Sequence, residues 1–329
     1  MKTSFKNLLS LLLRLGITLF AFGWIFRSVE MNALRLIFRS AGVPWLLAGA
    51  AFFFMAQIGC IIRWGLLAPR HPSLRWSFLA NSFFVANFFN MFLPTTVGGD
   101  VIRGYDLIKA TGEWKESLAS VLADRLAGFV GFFTFALAAW VAFPPARQDP
   151  LVRTAFAGFC GAVVVTFAVL GSRRILQGML RPFGKIGLGQ LQSHAKQFQD
   201  ALRAYFSRPR QLLAALGVTT LIQICTILMY WATSRALHLD VPLAYLALTV
   251  PIILTLSQIP ISLNGWGIRE GATVLFLGRI GVTTEHALSL SLFCAVIPIL
   301  SALIGAVLFL LRRRRKPAAA PPPRQRETR

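Results

Sequence analysis

The sequence predicts an all-α membrane protein: a polytopic transmembrane helix bundle with six full spans, two re-entrant or broken helical hairpins, and an inverted repeat. Three observations carry that expectation. First, apolar stretches of about 20 residues, the length that crosses the hydrocarbon core, occur at Leu8–Phe26, Trp45–Leu67, Leu118–Phe143, Leu151–Leu170, Leu212–Leu237 and Ala287–Leu311. Second, only 14% of the 329 residues are charged and 56% are hydrophobic, whereas a soluble domain carries roughly a quarter charged residues. Third, two shorter apolar segments, Trp76–Pro94 and Leu243–Pro260, each end at a proline. Each is followed by a glycine-bearing turn and a more polar helix, Gly99–Ala110 and Gly267–Gly278.

The first stretch follows Lys2 and Lys6 and has no small-residue cleavage pattern at its end. It reads as a retained signal-anchor helix. Loop charge orders the remaining spans. The net charge of +22 would point to nucleic acid in a soluble protein, but here it is concentrated beside the spans: Arg173, Arg174, Arg181, Lys185, Lys196, Arg203, Arg208 and Arg210, then Arg312 to Lys316. Juxtamembrane cations mark the cytoplasmic side and attract anionic lipid. Nucleic acid is therefore excluded as the expected partner, and anionic membrane lipids take its place.

With both termini cytoplasmic, the loops at Arg147 and Asp240 fall outside and the chain belongs in the inner (cytoplasmic) membrane. That arrangement requires the Trp76–Ala110 hairpin to return to the side it left. Three spans then separate the hairpins, so they enter from opposite faces. The loop Arg27–Gly42 fits this scheme poorly, being assigned outside with Arg27, Arg35 and Arg39 against Glu30.

The hairpins also share a pattern. Pro94, Gly99, Ile102 and Arg103 match Pro260, Gly265, Ile268 and Arg269 at one constant interval. Inverted repeats with interrupted helices are characteristic of transporter folds. The chain reads as one domain over 1–311, with halves at about 1–143 and 151–311 and a basic cytoplasmic segment at 171–210. In that segment Leu191, Phe198, Leu202 and Tyr205 form an apolar stripe suited to the membrane surface. The Pro/Ala-rich tail, 312–329, has nothing with which to build a core.

Ionisable groups at membrane depth are costly and mark a pathway or a pair. They gather at the hairpins: Asp100, Arg103, Asp106 and Lys109 in the first, Arg269 and Glu270 in the second, with Asp124 and Arg125 just after the first. One reading is structural, the carboxylates neutralising the arginines to fasten the bundle. The other is functional. Gly98, Gly99, Gly265 and Gly267 stand at helix starts, where free N–H groups and the helix dipole attract anions. Arg103 and Arg269, one turn in, have the fork that grips phosphate. The candidate substrate-binding set is therefore Gly98, Gly99, Asp100, Arg103, Asp124, Arg125, Gly265, Gly267, Arg269 and Glu270. The sequence carries no zinc-protease, nucleophile-elbow or Walker motif, so neither catalytic chemistry, a metal nor a cofactor is expected. Cys60, Cys160, Cys225 and Cys294 lie within apolar stretches and read as small buried hydrophobes.

Leu93-Pro94, Gly98-Gly99-Asp100 and Arg103, then Asp124-Arg125-Leu126, then Gly265-Trp266-Gly267-Ile268-Arg269-Glu270 together resemble the lysylphosphatidylglycerol synthase transmembrane region. This flippase-like family includes the amino-terminal half of the multiple peptide resistance factor. The resemblance covers about Leu8 to Leu311. It departs at Asn264, where the family usually has a glycine. It implies movement of an aminoacylated phospholipid or another lipid-linked molecule across the bilayer, without the lipid aminoacylation that belongs to a separate soluble domain. The leading expectation is a lipid translocase. The alternative is a non-transporting membrane scaffold for a lipid or glycan biosynthetic enzyme.

Overall fold

The computed structural model describes residues 30–92, 98–172, 208–259 and 262–314, together with isolated positions between 15 and 27. Most of the stretch Leu8–Phe26, the turn prolines Pro94 and Pro260, the stripe Leu191–Tyr205 and the tail after Arg314 lie outside the described residues. Within them are ten α-helices: α1 (Met31–Ser40), α2 (Val43–Leu67), α3 (Trp76–Phe92), α4 (Gly98–Thr111), α5 (Trp114–Ala142), α6 (Pro150–Gly171), α7 (Pro209–Ala236), α8 (Leu243–Ser257), α9 (Ile268–Gly278) and α10 (Thr284–Arg314). Five of them, α2, α5, α6, α7 and α10, are long and apolar enough to cross a membrane. They coincide with five of the six apolar stretches.

Why these segments are helical follows from their ends. Asp149 accepts from the amides of Leu151 and Val152, and Pro150 occupies the first helical position of α6. This is the capped start that leaves few orphan donors. Proline likewise sits in the first turn of α2 and α7. Many large apolar side chains on the spans remain exposed, among them Leu47, Ile58, Val141, Val164, Leu221 and Leu310. A membrane helix facing hydrocarbon has no need to bury them.

Two ends of the bundle are defined by contacts between loops. At one end the Gly42 amide donates to the carbonyl of Ala236 at 2.8 Å. There Asp149 also meets Arg279 at 3.8 Å, and the Tyr245 hydroxyl donates to the carbonyl of Phe276 at 2.7 Å. Thus α8 begins and α9 finishes at this end. At the other, Arg70, Glu113, Glu116, Arg208 and Arg210 line a common cleft. Near it Arg312, at the close of α10, pairs with Asp106 of α4 at 2.8 Å. Thus α3 begins and α4 finishes at this second end. The two short helix pairs therefore project into the bundle from different ends, each between longer helices.

Helix α10 packs closely on α3: a side chain at Gly305 would collide with the backbone carbonyl of Phe84. Small residues permit this approach where helices associate by packing alone. Helices α2 and α7 form another extensive pair.

Two features differ from the sequence expectation. The loop Arg27–Gly42 contains a helix, α1, with Leu34 and Ile37 buried and Arg35 and Arg39 exposed. Its apolar residues recur at three- and four-residue intervals, and Leu34 joins Leu288 of α10. The loop that fitted the charge pattern poorly is thus an amphipathic helix lying along the bundle. In addition, α10 runs past Leu311 to Arg314, and within that extension Arg312 pairs with the half-buried Asp106.

A cysteine-free variant carrying Asp240→Cys or Arg70→Cys tests the two ends. Both positions are exposed, and an impermeant thiol reagent should label them from opposite faces of sealed vesicles. Labelling of both from one face would contradict this arrangement.

Candidate functional site

Four arginines and two aspartates converge on one cavity of about 430 Å³. The arrangement starts from neighbours in sequence. Asp124 and Arg125 are consecutive on α5, about 100° apart around the helix, so they serve different partners. Asp124, 3% exposed, accepts from Arg63 Nε of α2 through Oδ1 at 2.7 Å. Its Oδ2 accepts from Arg103 Nη1 of α4 at 2.9 Å. Arg103 Nη2 continues to Asp100 Oδ1 at 2.6 Å, one turn earlier on α4. Arg125 Nε takes the other Asp100 oxygen at 2.6 Å and its Nη1 donates to Gln258 Oε1 at 3.0 Å. Gln258 is the C-cap of α8. One continuous polar chain thus joins α2, α4, α5 and α8.

Packing reinforces it. The Arg103 guanidinium lies 5.1 Å from the ring centroid of Trp64, a fully buried side chain, and 5.9 Å from that of Phe83. Such stacking favours the planar, weakly hydrated guanidinium over an ammonium.

The second pair is separate. Arg269 donates to Glu270 Oε1 through Nε at 3.0 Å and Nη2 at 2.6 Å. Glu270 is completely buried, and its Oε2 accepts from the Gly267 amide at 2.6 Å. Ser291 of α10 also donates to Oε1, at 3.4 Å. Arg269 faces the same cavity as the first cluster and stacks 4.9 Å from the Trp266 ring.

Of the ten residues singled out in the sequence, Asp100, Arg103, Asp124, Arg125 and Arg269 line the cavity, while Gly98, Gly99, Gly265, Gly267 and Glu270 do not. The glycines have other work, and the reading of open anion-binding amides is corrected at two of them. The Gly99 amide donates to Asn90 Oδ1 at 2.7 Å, and a Cβ there would collide with the carbonyl of Ala86. The Gly267 amide is occupied by Glu270, a carboxylate already seated at the start of α9. Gly265 and Gly267 have φ of 74° and 83°, a backbone that glycine adopts without steric cost. They form the turn and bring the α9 start against α8. Gly98 is buried beside Gly99. Of the candidates, the two arginines of the helix pairs line the cavity and the glycines do not.

Sequence reasoning missed Arg63, Gln258 and the amides of Asn87 and Gln223. Arg63 lay within the stretch Trp45–Leu67, where one cation in a long apolar run was the available signal. Asn87 and Gln223 line the cavity, and each has a buried polar atom, Nδ2 and Oε1, without a hydrogen-bond partner among the described residues. Phe53, Phe83, Phe129 and Phe132 supply apolar wall. The cavity thus combines cations with surface for hydrocarbon.

Removing one partner of a buried pair leaves the other charge uncompensated, at about 3–5 kcal/mol. Asp124→Ala is therefore expected to lower the thermal unfolding midpoint in detergent sharply. Arg103→Lys should do so too, since one ammonium cannot reproduce a fork spanning two carboxylates. An unchanged midpoint in both variants would show that the cluster does not fasten the bundle.

A search of curated proteins finds no match. The family model for the lysylphosphatidylglycerol synthase TM region matches residues 11–306, a range that includes every charged residue of both clusters. The chain belongs to the lysylphosphatidylglycerol synthase transmembrane-region family.

Proposed function

We propose that the protein is a lipid translocase, which passes the phosphate-bearing headgroup of a phospholipid or lipid-linked molecule through the arginine-lined cavity. The observation that carries this reading is the placing of Arg63, Arg103, Arg125 and Arg269 around one cavity with phenylalanine walls. Guanidinium groups bind phosphate oxygens by directed, charge-assisted hydrogen bonds, while apolar walls suit the adjoining acyl region.

In this reading α3–α4 and α8–α9 are re-entrant hairpins of an inverted repeat, entering from opposite faces of the cytoplasmic membrane with both termini inside. Each hairpin brings charged residues to the cavity, so a headgroup leaving one meets the other. The tips are close: Asn264 Nδ2 lies 3.3 Å from Met91 Sδ. The protein itself makes and breaks no covalent bond. The family's membership in lipid metabolism supports the substrate class, and the polar chain from Arg63 to Gln258 supports coupling between the hairpins.

Liposomes containing the purified chain and a fluorescent phosphatidylglycerol test the proposal. Inner-leaflet label should become accessible to a membrane-impermeant quencher faster than in protein-free liposomes. Arg269→Lys should slow that movement roughly tenfold, in line with the loss of a charge-assisted hydrogen bond of about 1.5–3 kcal/mol. Movement no faster than in protein-free liposomes would refute the translocase reading.

A further inference from the structure

We infer that an uncharged polar face of α7, through Gln223 and Tyr230, is the part of the cavity wall left open to a headgroup, and that it receives the headgroup's own O–H or N–H donors. The inference rests on the cavity being the headgroup site, and it assigns two positioning residues within that site.

The charged wall is engaged with itself: Arg63, Arg103, Arg125 and Arg269 each have a carboxylate partner. The wall supplied by α7 is different. Thr219, Gln223, Thr226 and Tyr230 recur at intervals of four, three and four residues, which places them on one face of a helix otherwise apolar enough to cross a membrane. This stripe joins the two charged groups. Thr219 accepts from Arg63 Nη1 at 3.4 Å, and the Tyr230 hydroxyl is near enough to Arg269 and Glu270 to feel their charges. Gln223, Thr226 and Tyr230 line the cavity. Gly131 of α5 makes room for the stripe, since a Cβ there would collide with the Thr219 methyl and crowd Gln223.

Partners within the protein are what Gln223 and Tyr230 lack. Both residues are 2% exposed. The two threonine hydroxyls donate to carbonyls of their own helix, those of Ala215 and Ile222, at 2.8 Å. Neither Gln223 nor the Tyr230 hydroxyl makes a hydrogen bond among the described residues, and Gln223 Oε1 is buried. Tyr245, equally buried, donates to Phe276. A buried polar group without a partner is costly, and methionine or phenylalanine would fill similar space without that cost. The terminal amide torsion of Gln223 is soft, so a small rotation turns its oxygen to the cavity. Turned either way, the amide presents both an acceptor and donors, and the phenol can act as either. Phosphate and ester oxygens only accept, so the free acceptors of α7 call for donors at the end of the headgroup.

Phosphatidylglycerol and phosphatidylmethanol carry the same charge and differ in the hydroxyls at the headgroup's end. The full chain in phosphatidylcholine nanodiscs would be titrated with each, and retained lipid measured by native mass spectrometry. The native protein should retain phosphatidylglycerol about fivefold better, the scale of one neutral hydrogen bond. Gln223→Met and Tyr230→Phe should each lower that ratio by about twofold or more. Each should also leave the thermal midpoint unchanged or raised, because it removes an unpartnered buried group.

Equal retention of the two lipids by the native protein would overturn the inference. It would also fail if either variant kept the native ratio, or if either lowered the midpoint and so proved to be a fastening of the bundle. Retention of neither lipid would overturn both this inference and the headgroup site. Selective retention without movement in liposomes would refute translocation and support the assignment to α7.

Discussion

Asp124 is the group on which the first cluster depends. Its two oxygens are held by arginines from two other helices, so one buried side chain fixes α2, α4 and α5 at a common depth. In hydrocarbon there is little hydrophobic force to draw apolar helices together. Directed polar contacts therefore carry more of the burden of specifying their arrangement. Once Asp124 and Arg103 are set, Asp100 is turned towards Arg125, and Arg125 reaches the end of α8 through Gln258. Removing the carboxylate would leave Arg63 and Arg103 facing each other within the membrane-spanning region.

The structural reading of the buried charges and the proposed recognition of a headgroup are not exclusive. Each carboxylate is engaged by the protein, which makes it a fastening. The paired arginines Arg63, Arg103, Arg125 and Arg269 nevertheless line the cavity. Phenylalanine lines the rest of the wall, so the cavity has a polar region and an apolar region side by side. Rigid supports for the guanidinium groups, such as the rings of Trp64 and Trp266, preset their orientation before any ligand arrives.

Much of this was legible in the sequence, and the limits have physical causes. Long apolar runs announce spans because length and composition suffice, and five of them coincide with described helices. The charged residues near the hairpins were found because charge at membrane depth is rare. Arg63 was overlooked because its neighbours made the stretch an ordinary span, and only its partner Asp124, 61 positions away, reveals its purpose. The helix at Met31–Ser40 was overlooked because its arginines drew attention away from Leu34 and Ile37. At Gly99 and Gly267 a glycine before a helix resembles an anion site. Which donor occupies the amide, or which carbonyl fills the missing side chain, depends on segments distant along the chain or on a side chain's rotamer. Neither can be inferred from spacing.

Helix α10 has a mechanical consequence. Near its beginning Ser291 holds Glu270 of α9, and at its far end Arg312 holds Asp106 of α4. It is thus a tie-rod fixed to both short helix pairs. Neither pair can shift along the bundle without loading this rod, bending it or releasing one of its ends. Pro298, within α10 and at the cavity wall, removes one backbone hydrogen bond from the helix interior. The rod is therefore weakest where it passes the cavity.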